Sequence, residues 1–183
     1  MKPDPALGPW AVIDFETVGG RHGPVAVEFG LLVINAAGQI LFHLERQFPP
    51  PEDAGRSSPV PAGLRQLWPE IAPWLEAAVL TGHNLGYDEA LLRAAFPGFT
   101  PPSRLDTLML SRHCLPRAPE HSLEALAKAA GIDAELQQMA VNSHFRPHRA
   151  LYDCFACALL LLHLRQKPES ASFMRPAQGS LWE

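Results

Sequence analysis

Two acids, Asp14 and Glu16, close an otherwise apolar run that begins at Trp10 (WAVIDFE). In an extended strand residues i and i+2 point to one face, which sets the two carboxylates about 5 to 7 Å apart. Unit charges 4 Å apart at an effective dielectric near 20 interact by ~4 kcal/mol. A buried strand keeps such a pair only where something cationic offsets it; the plainer alternative is that the strand ends there and both acids are solvated. Asp88 follows a short apolar segment in GHNLGYD. That places it at the C-terminal end of a sheet strand, where α/β sites gather, or gives a helix N-terminus a favourable charge. Asp153 falls one turn into the last helix, with His148 five residues before it in RPHRALYD. Five residues do not share a helical face, so His148 belongs to the preceding loop or first turn, from where it reaches over a site that Asp153 lines.

The elements that must carry these residues follow from periodicity and punctuation. Trp10–Phe15 reads as a buried strand between Gly8-Pro9 and Gly19-Gly20. Val25–Ile34 and Gln39–Phe48 are two more strands, joined by the hairpin loop Asn35–Gly38 (NAAG). Pro49–Pro51 ends the pairing, and the stretch to Pro61 is a loop rich in Pro, Ser and Gly. Leu64, Leu67, Ile71, Trp74 and Leu75 recur at helical spacing, in a segment that Pro69 and Pro73 split or kink. Then come a strand at Val79–Gly82, a helix at Tyr87–Phe96, a strand at Arg104–Thr107 and a short helix at Leu108–Leu115. Ser122 caps a helix that Gly131 stops, and the last long helix runs from about Arg149 to Gln166. Hairpin first, then alternating strands and helices, implies an α/β fold with a mixed five-stranded sheet flanked by helices. One domain is expected over residues 1–167, followed by a tail at 168–183 that Phe173 and Trp182 could dock on the body.

Taken in order, the four acids and the histidine resemble the three-motif signature of the DEDDh, or DnaQ-like, 3′-5′ exonucleases of the ribonuclease H-like superfamily. Asp14-x-Glu16 resembles the first motif, Asn84-x-x-Tyr87-Asp88 the second, and His148-x4-Asp153 the third. Between them, LDTL at 105–108 and HSLEAL at 121–126 resemble the family's spacer phrases, so the likeness covers residues 10 to 165. The resemblance implies a ribonuclease H-like fold that hydrolyses phosphodiesters of DNA or RNA from a single-stranded 3′ end to nucleoside monophosphates. It implies two divalent cations, with Asp14 bridging them, Glu16 and Asp153 on one, and Asp88 on the other, directly or through water. His148 would be the general base toward the attacking water, which an imidazole of ordinary pKa near 6.5 performs near neutral pH. Four hard oxygen ligands favour Mg²⁺ or Mn²⁺ over zinc. Phe15, Thr17, His83, Asn84, Tyr87 and Arg149 are the expected substrate contacts. His83 equally fits a structural histidine, and Arg149, like Arg146, equally fits a solvated charge at a helix start. The sequence departs from the family at Val18-Gly19-Gly20, where relatives commonly have threonine and one glycine.

Other residues have simpler readings. Cys154 and Cys157 form C-x-x-C inside an amphipathic helix without a partner pair, which fits buried small hydrophobes better than zinc. Glu28 and Asp106, near strand ends, fit loop or capping roles better than metal ligation. Trp10, Trp68 and Trp74 are assigned to the core. An odd count of 3 cysteines gives no disulfide framework, and the N-terminus carries no apolar leader segment, so an intracellular, cytoplasmic protein with reduced thiols is expected. The most apolar stretch, Cys154–Leu164, is too short to span a bilayer and contains His163. The chain of 183 residues has 15 basic and 19 acidic residues, a formal charge of −4, which argues against binding nucleic acid through bulk charge. That excess equals the four acids of the candidate site, so the remainder is balanced, and two divalent cations would cancel the whole. A catalytically silent nucleic-acid-binding or accessory module of the same fold is the competing reading. A homodimer, or a polymerase or repair partner, fits either.

Overall fold

The structure, a computed structural model, describes residues 2–20, 23–49, 59–139 and 145–174. Its sheet is mixed and five-stranded. Strand β1 (Trp10–Gly20) lies at the centre, antiparallel to β2 (Gly23–Ile34), which pairs in turn with β3 (Ile40–Gln47). On its other side β1 runs parallel to β4 (Val79–Gly82), and β4 to β5 (Ser103–Asp106), giving the order β3-β2-β1-β4-β5. The hairpin loop is closed by Asn35, whose carboxamide oxygen accepts from the N–H groups of Ala37 and Gln39. That is the local chemistry that makes Asx residues turn formers.

Helices cover both faces. On one lie α1 (Ala62–Gln66), α2 (Trp68–Ala77) and α3 (Leu85–Ala95). On the other lie α4 (Thr107–Cys114), α5 (Leu123–Ala130), α6 (Ile132–Met139), α7 (Ala150–Arg165) and α8 (Ser170–Met174). The expected break near the prolines is real: Leu67 ends α1 and begins α2, and Pro69 sits in the first turn of α2, where its missing N–H costs nothing. Helices α6 and α8 extend the sequence expectation. In α8, Met174 is buried and Phe173 packs beside it against the same core; Trp182 lies outside the described residues.

Side chains alternate along β1 and so assign its faces. Ala11, Ile13 and Phe15 enter the core with α1 to α3, whereas Trp10 and Val12 enter the core with α4 to α8. Asp14 and Glu16 therefore project toward α7. The strand outruns its parallel neighbour, since β4 pairs only with Trp10, Ala11 and Val12. Beyond Ile13 the β4-facing edge of β1 is left open, at the C-terminal end of the parallel strands. A bulge follows between Glu16 and Thr17, which leaves Val27 unpaired on β2 and turns the remaining ribbon of β1 and β2 away.

Candidate active site

The open edge and the acidic face of β1 meet three other elements. Asp14, Glu16 and Asp153 can bring one carboxylate oxygen each to within 4.8 Å of one another. Asp153 comes from the first turn of α7, and two features of β2 let that turn approach so closely. Gly30 pairs with Asp14, and a Cβ placed on it would lie 2.5 Å from the carbonyl carbon of Ala150 and 2.6 Å from its oxygen. Glu28, directly across from Glu16, accepts the N–H of Ala150 at 3.0 Å and the Nε–H of Arg149 at 2.8 and 2.9 Å. Residue 149 is the N-cap of α7, so a glutamate from the sheet satisfies the helix end that its own sequence leaves uncapped.

Asp88 arrives from the opposite face. It lies in the first turn of α3, 5% exposed, and its Oδ1 accepts the Phe15 N–H at 3.0 Å. This is the donor orphaned where β4 stops, so Asp88 finishes the strand edge while standing next to Asp14. It is outside the three-acid set just described. Asp106 positions the turn before α3. Its carboxylate accepts the N–H groups of Asn84 and Leu85, both at 3.1 Å, and of Leu108 at 2.8 Å, tying the starts of α3 and α4 together. Asn84 itself is left-handed at φ 68°, a conformation that Asn tolerates.

The electrostatics are those of acids held together with little counter-charge: among the described residues no cation faces Asp14 or Asp88. Burial, then Asp88, Asp153, Glu16 and Glu28, push Asp14 up to about 9. Burial raises Asp88 to about 7 against the opposing pull of the Phe15 N–H. Burial and Glu16 raise Asp153 to about 7, and nearby His148 acts the other way. Near neutral pH this cluster therefore holds protons that a cation would displace. The donor set is oxygen only, and its atoms lie no more than 4.8 Å apart, close to the ~4.2 Å between opposite ligands of an octahedral Mg²⁺. The residues fit hard divalent cations.

His148 is exposed, has φ 62°, and lines one cavity of about 500 Å³ with Asp153, Tyr152, Ser122 and Lys128. The expected substrate contacts divide. Thr17, Asn84 and Tyr87 stand at the rim: Tyr87 is 40% exposed, and its hydroxyl donates to Thr17 Oγ1 at 3.4 Å. Phe15 instead buries its ring against Phe29, with centroids 4.8 Å apart, leaving only its backbone at the site. His83 has Nε2 2.8 Å from the His121 carbonyl and Nδ1 3.0 Å from Thr107 Oγ1, so both ring nitrogens are engaged within the fold. Arg149 is turned inward to Glu28 and Glu45. Both Glu28 and Asp106 have the capping roles expected of them, whereas the close approach at Gly30 and the pairing of Glu28 with Arg149 are features that residue patterns missed. A glycine inside an apolar strand was the available signal, since it marks a close backbone approach.

Residues 61–161, more than half of the chain, match the exonuclease family RNase_T. The chain belongs to that family, the DnaQ-like 3′-5′ exonucleases to which its motifs pointed. The matched stretch contains Asp88, His148 and Asp153; Asp14 and Glu16 precede it. A curated relative, the PolC-type DNA polymerase III of Staphylococcus aureus, is 28% identical over 108 residues, which are 57% of this chain and 7% of that one. Among solved structures, E. coli exonuclease I in complex with a dT13 oligonucleotide superposes with a TM-score of 0.60 at 17% identity, over 86% of this chain and 41% of that one. The same enzyme with a dA16 oligonucleotide gives 0.57 at 18% identity, over 90% and 42%. These structures share the ribonuclease H-like fold. The chain thus spans less than half the length of each relative. No helix among the described residues is long and apolar enough to cross a membrane.

Proposed function

We propose that this chain is a divalent-metal-dependent 3′-to-5′ exonuclease that removes nucleoside monophosphates from a single-stranded 3′ end of DNA or RNA. The observation that carries this reading is the convergence of Asp14, Glu16 and Asp153 on one point, with His148 beside them. Two divalent cations, Mg²⁺ or Mn²⁺, would neutralise the phosphate there and stabilise both the attacking and the leaving oxygens. Asp14, Glu16 and Asp153 would hold them, with Asp88 next to Asp14 as the fourth acid.

The chain's own residues supply the rest. His148, exposed beside Asp153, takes a proton from the attacking water as that water's oxygen bonds to phosphorus, the P–O3′ bond breaks, and O3′ leaves with the bonding pair and takes a proton from solvent to become the new 3′-hydroxyl. Tyr87, Thr17 and Asn84 at the rim receive the terminal nucleotide, Tyr87 offering a face for stacking. Asp88 holds the Phe15 N–H and so fixes the backbone between the two strand acids. The dT13 and dA16 oligonucleotides on exonuclease I support a single-stranded substrate, and the name of the PolC relative supports a polymerase or repair partner. The three free, buried cysteines suit a reducing, cytoplasmic compartment.

The deciding experiment digests single-stranded and duplex DNA and RNA oligonucleotides, labelled at the 5′ end, with Mg²⁺ or Mn²⁺. The expected result is a ladder shortening from the 3′ end that Asp14→Ala and Asp153→Ala abolish while both variants remain folded. Activity retained in either variant overturns the assignment. If the chain is instead a silent accessory module, millimolar Mg²⁺ or Mn²⁺ leaves its melting temperature unchanged.

A further inference from the structure

Beside the three acids lies a second charged cluster that the reaction does not use. Glu28 is 5% exposed on β2 and sits across from Glu16; Glu45 on β3 sits across from Gly30. Arg149 lies between them, with Nε on Glu28 at 2.8 and 2.9 Å and Nη2 on Glu45 Oε2 at 3.3 Å. Its side chain is 13% exposed. Glu28 also takes up the first N–H group of α7, from Ala150 at 3.0 Å, and the Leu151 N–H faces Glu45 closely enough to favour its charged form. Arg149 also makes the first helical bond to the site, since its carbonyl accepts the Asp153 N–H at 3.0 Å. On its other side it is bonded to His148, a non-glycine residue at φ 62°, which persists only where its neighbours are fixed.

We propose that Glu28, Glu45 and Arg149 form a clamp that fixes the first turn of α7, and with it His148 and Asp153, over the strand carboxylates, making Arg149 a positioning residue and not a phosphate contact. Two carboxylates on one guanidinium leave no net positive charge for a phosphate. The fork of Nε and Nη2 spans two strands, which an ammonium cannot reproduce. A glutamate opposite Glu16 also has its own cation, so it is held out of the three-acid set.

The inference rests on the exonuclease reading for its kinetic arm, and a metal-binding arm stands apart from that reading. On the full chain, kcat and KM are measured at saturating Mg²⁺ over a range of salt, and Mn²⁺ binding is measured by calorimetry without substrate. Arg149→Met and Glu28→Gln are each expected to lower kcat about tenfold or more with KM within about threefold and an unchanged salt dependence. The double variant should be no worse than the poorer single one, because both break one device. A phosphate contact behaves oppositely: Arg149→Met raises KM and flattens the salt dependence, while Glu28→Gln, which removes a negative charge, binds substrate at least as well. That pattern overturns the proposal. If Arg149→Met does not fold, Arg149→Lys keeps the charge, and a wild-type kcat for it overturns the clamp equally. If the wild-type chain releases no nucleotide, weakened Mn²⁺ binding in both single variants still supports the clamp, and unchanged binding refutes it.

Discussion

Replacing Gly30 by alanine tests whether the close approach of α7 to β2 is what assembles the site. The added methyl carbon would stand 2.5 Å from the Ala150 carbonyl carbon and 2.8 Å from the Leu151 nitrogen. Non-bonded carbons prefer about 3.5 to 4 Å, so one backbone must retreat by roughly 1 Å. Both neighbours are backbone atoms of the first turn of α7, and no side chain can swing aside instead. That turn carries Asp153, while Gly30 itself is paired with Asp14, so the retreat opens the distance between the carboxylates from strand and helix. Overpacking of this kind costs about 1 to 3 kcal/mol in stability, and a misplacement of about 1 Å can cost ~10²-fold in rate. The assay is turnover of a 5′-labelled oligonucleotide at saturating Mg²⁺, alongside thermal unfolding. Gly98→Ala, where the same carbon meets nothing within 4 Å, is the control and should match wild type. Gly30→Ala with wild-type turnover and melting temperature would refute the reasoning.

His148→Ala should lower kcat by about 10² to 10⁴ while leaving Mn²⁺ affinity near that of wild type, and an unchanged rate removes it from the base role. Because Asp14 is raised from 3.8 to about 9, and Asp88 and Asp153 to about 7, their protonated forms favour the fold. That contribution is complete below about pH 4 and is lost as pH rises through 7 to 9. The melting temperature of the metal-free chain should therefore fall from pH 5 to 9, and Mg²⁺ should raise it more at pH 8 than at pH 6; equal rises at both contradict the proton displacement. Asp106→Ala should release three N–H groups at the starts of α3 and α4 and cost about 2 kcal/mol, a drop of roughly 4 to 8 °C read by calorimetry. A loss under 1 °C would show that water caps these helices as well.

The acids and the histidine were legible because their chemistry restricts residue type and because each sits at a recognisable boundary of strand or helix. Asn35 marked the hairpin in the same way, through a local hydrogen bond. What pattern reading lost is non-local. Glu28 and Arg149 are 121 positions apart, and no periodicity links them. The contact made by Gly30 exists only once α7 lies on β2. β1 also runs to Gly20, past the expected end at Phe15, because its last residues pair with β2 alone and carry the glycines that read as a stop. Helix α6 follows Gly131 directly, so a helix C-cap hid the next helix start.

The arrangement also accounts for why the acids gather where they do. A central strand that continues past its parallel neighbour exposes an N–H with no partner, and Asp88 supplies one from α3. That leaves a strand edge fixed yet open, with Asp14 and Glu16 turned to the opposite face under α7. Left alone, the close-set acids there would repel and keep their protons, which is a cost to the fold. Glu28 is paired with Arg149, whereas Asp14 has no cation among its described neighbours and is raised to about 9. The difference between Glu28 on β2 and Asp14 on β1 is thus a division of labour. Glu28 has an internal cation and accepts the first N–H of the helix; Asp14 is left without one, and an external cation bound beside it would relieve the repulsion it carries. Substrate affinity should follow the same logic, weak in EDTA and restored by Mg²⁺, since a phosphate chain meets only negative charge until the site is filled. Equal binding of a slowly cleaved oligonucleotide under both conditions would contradict it.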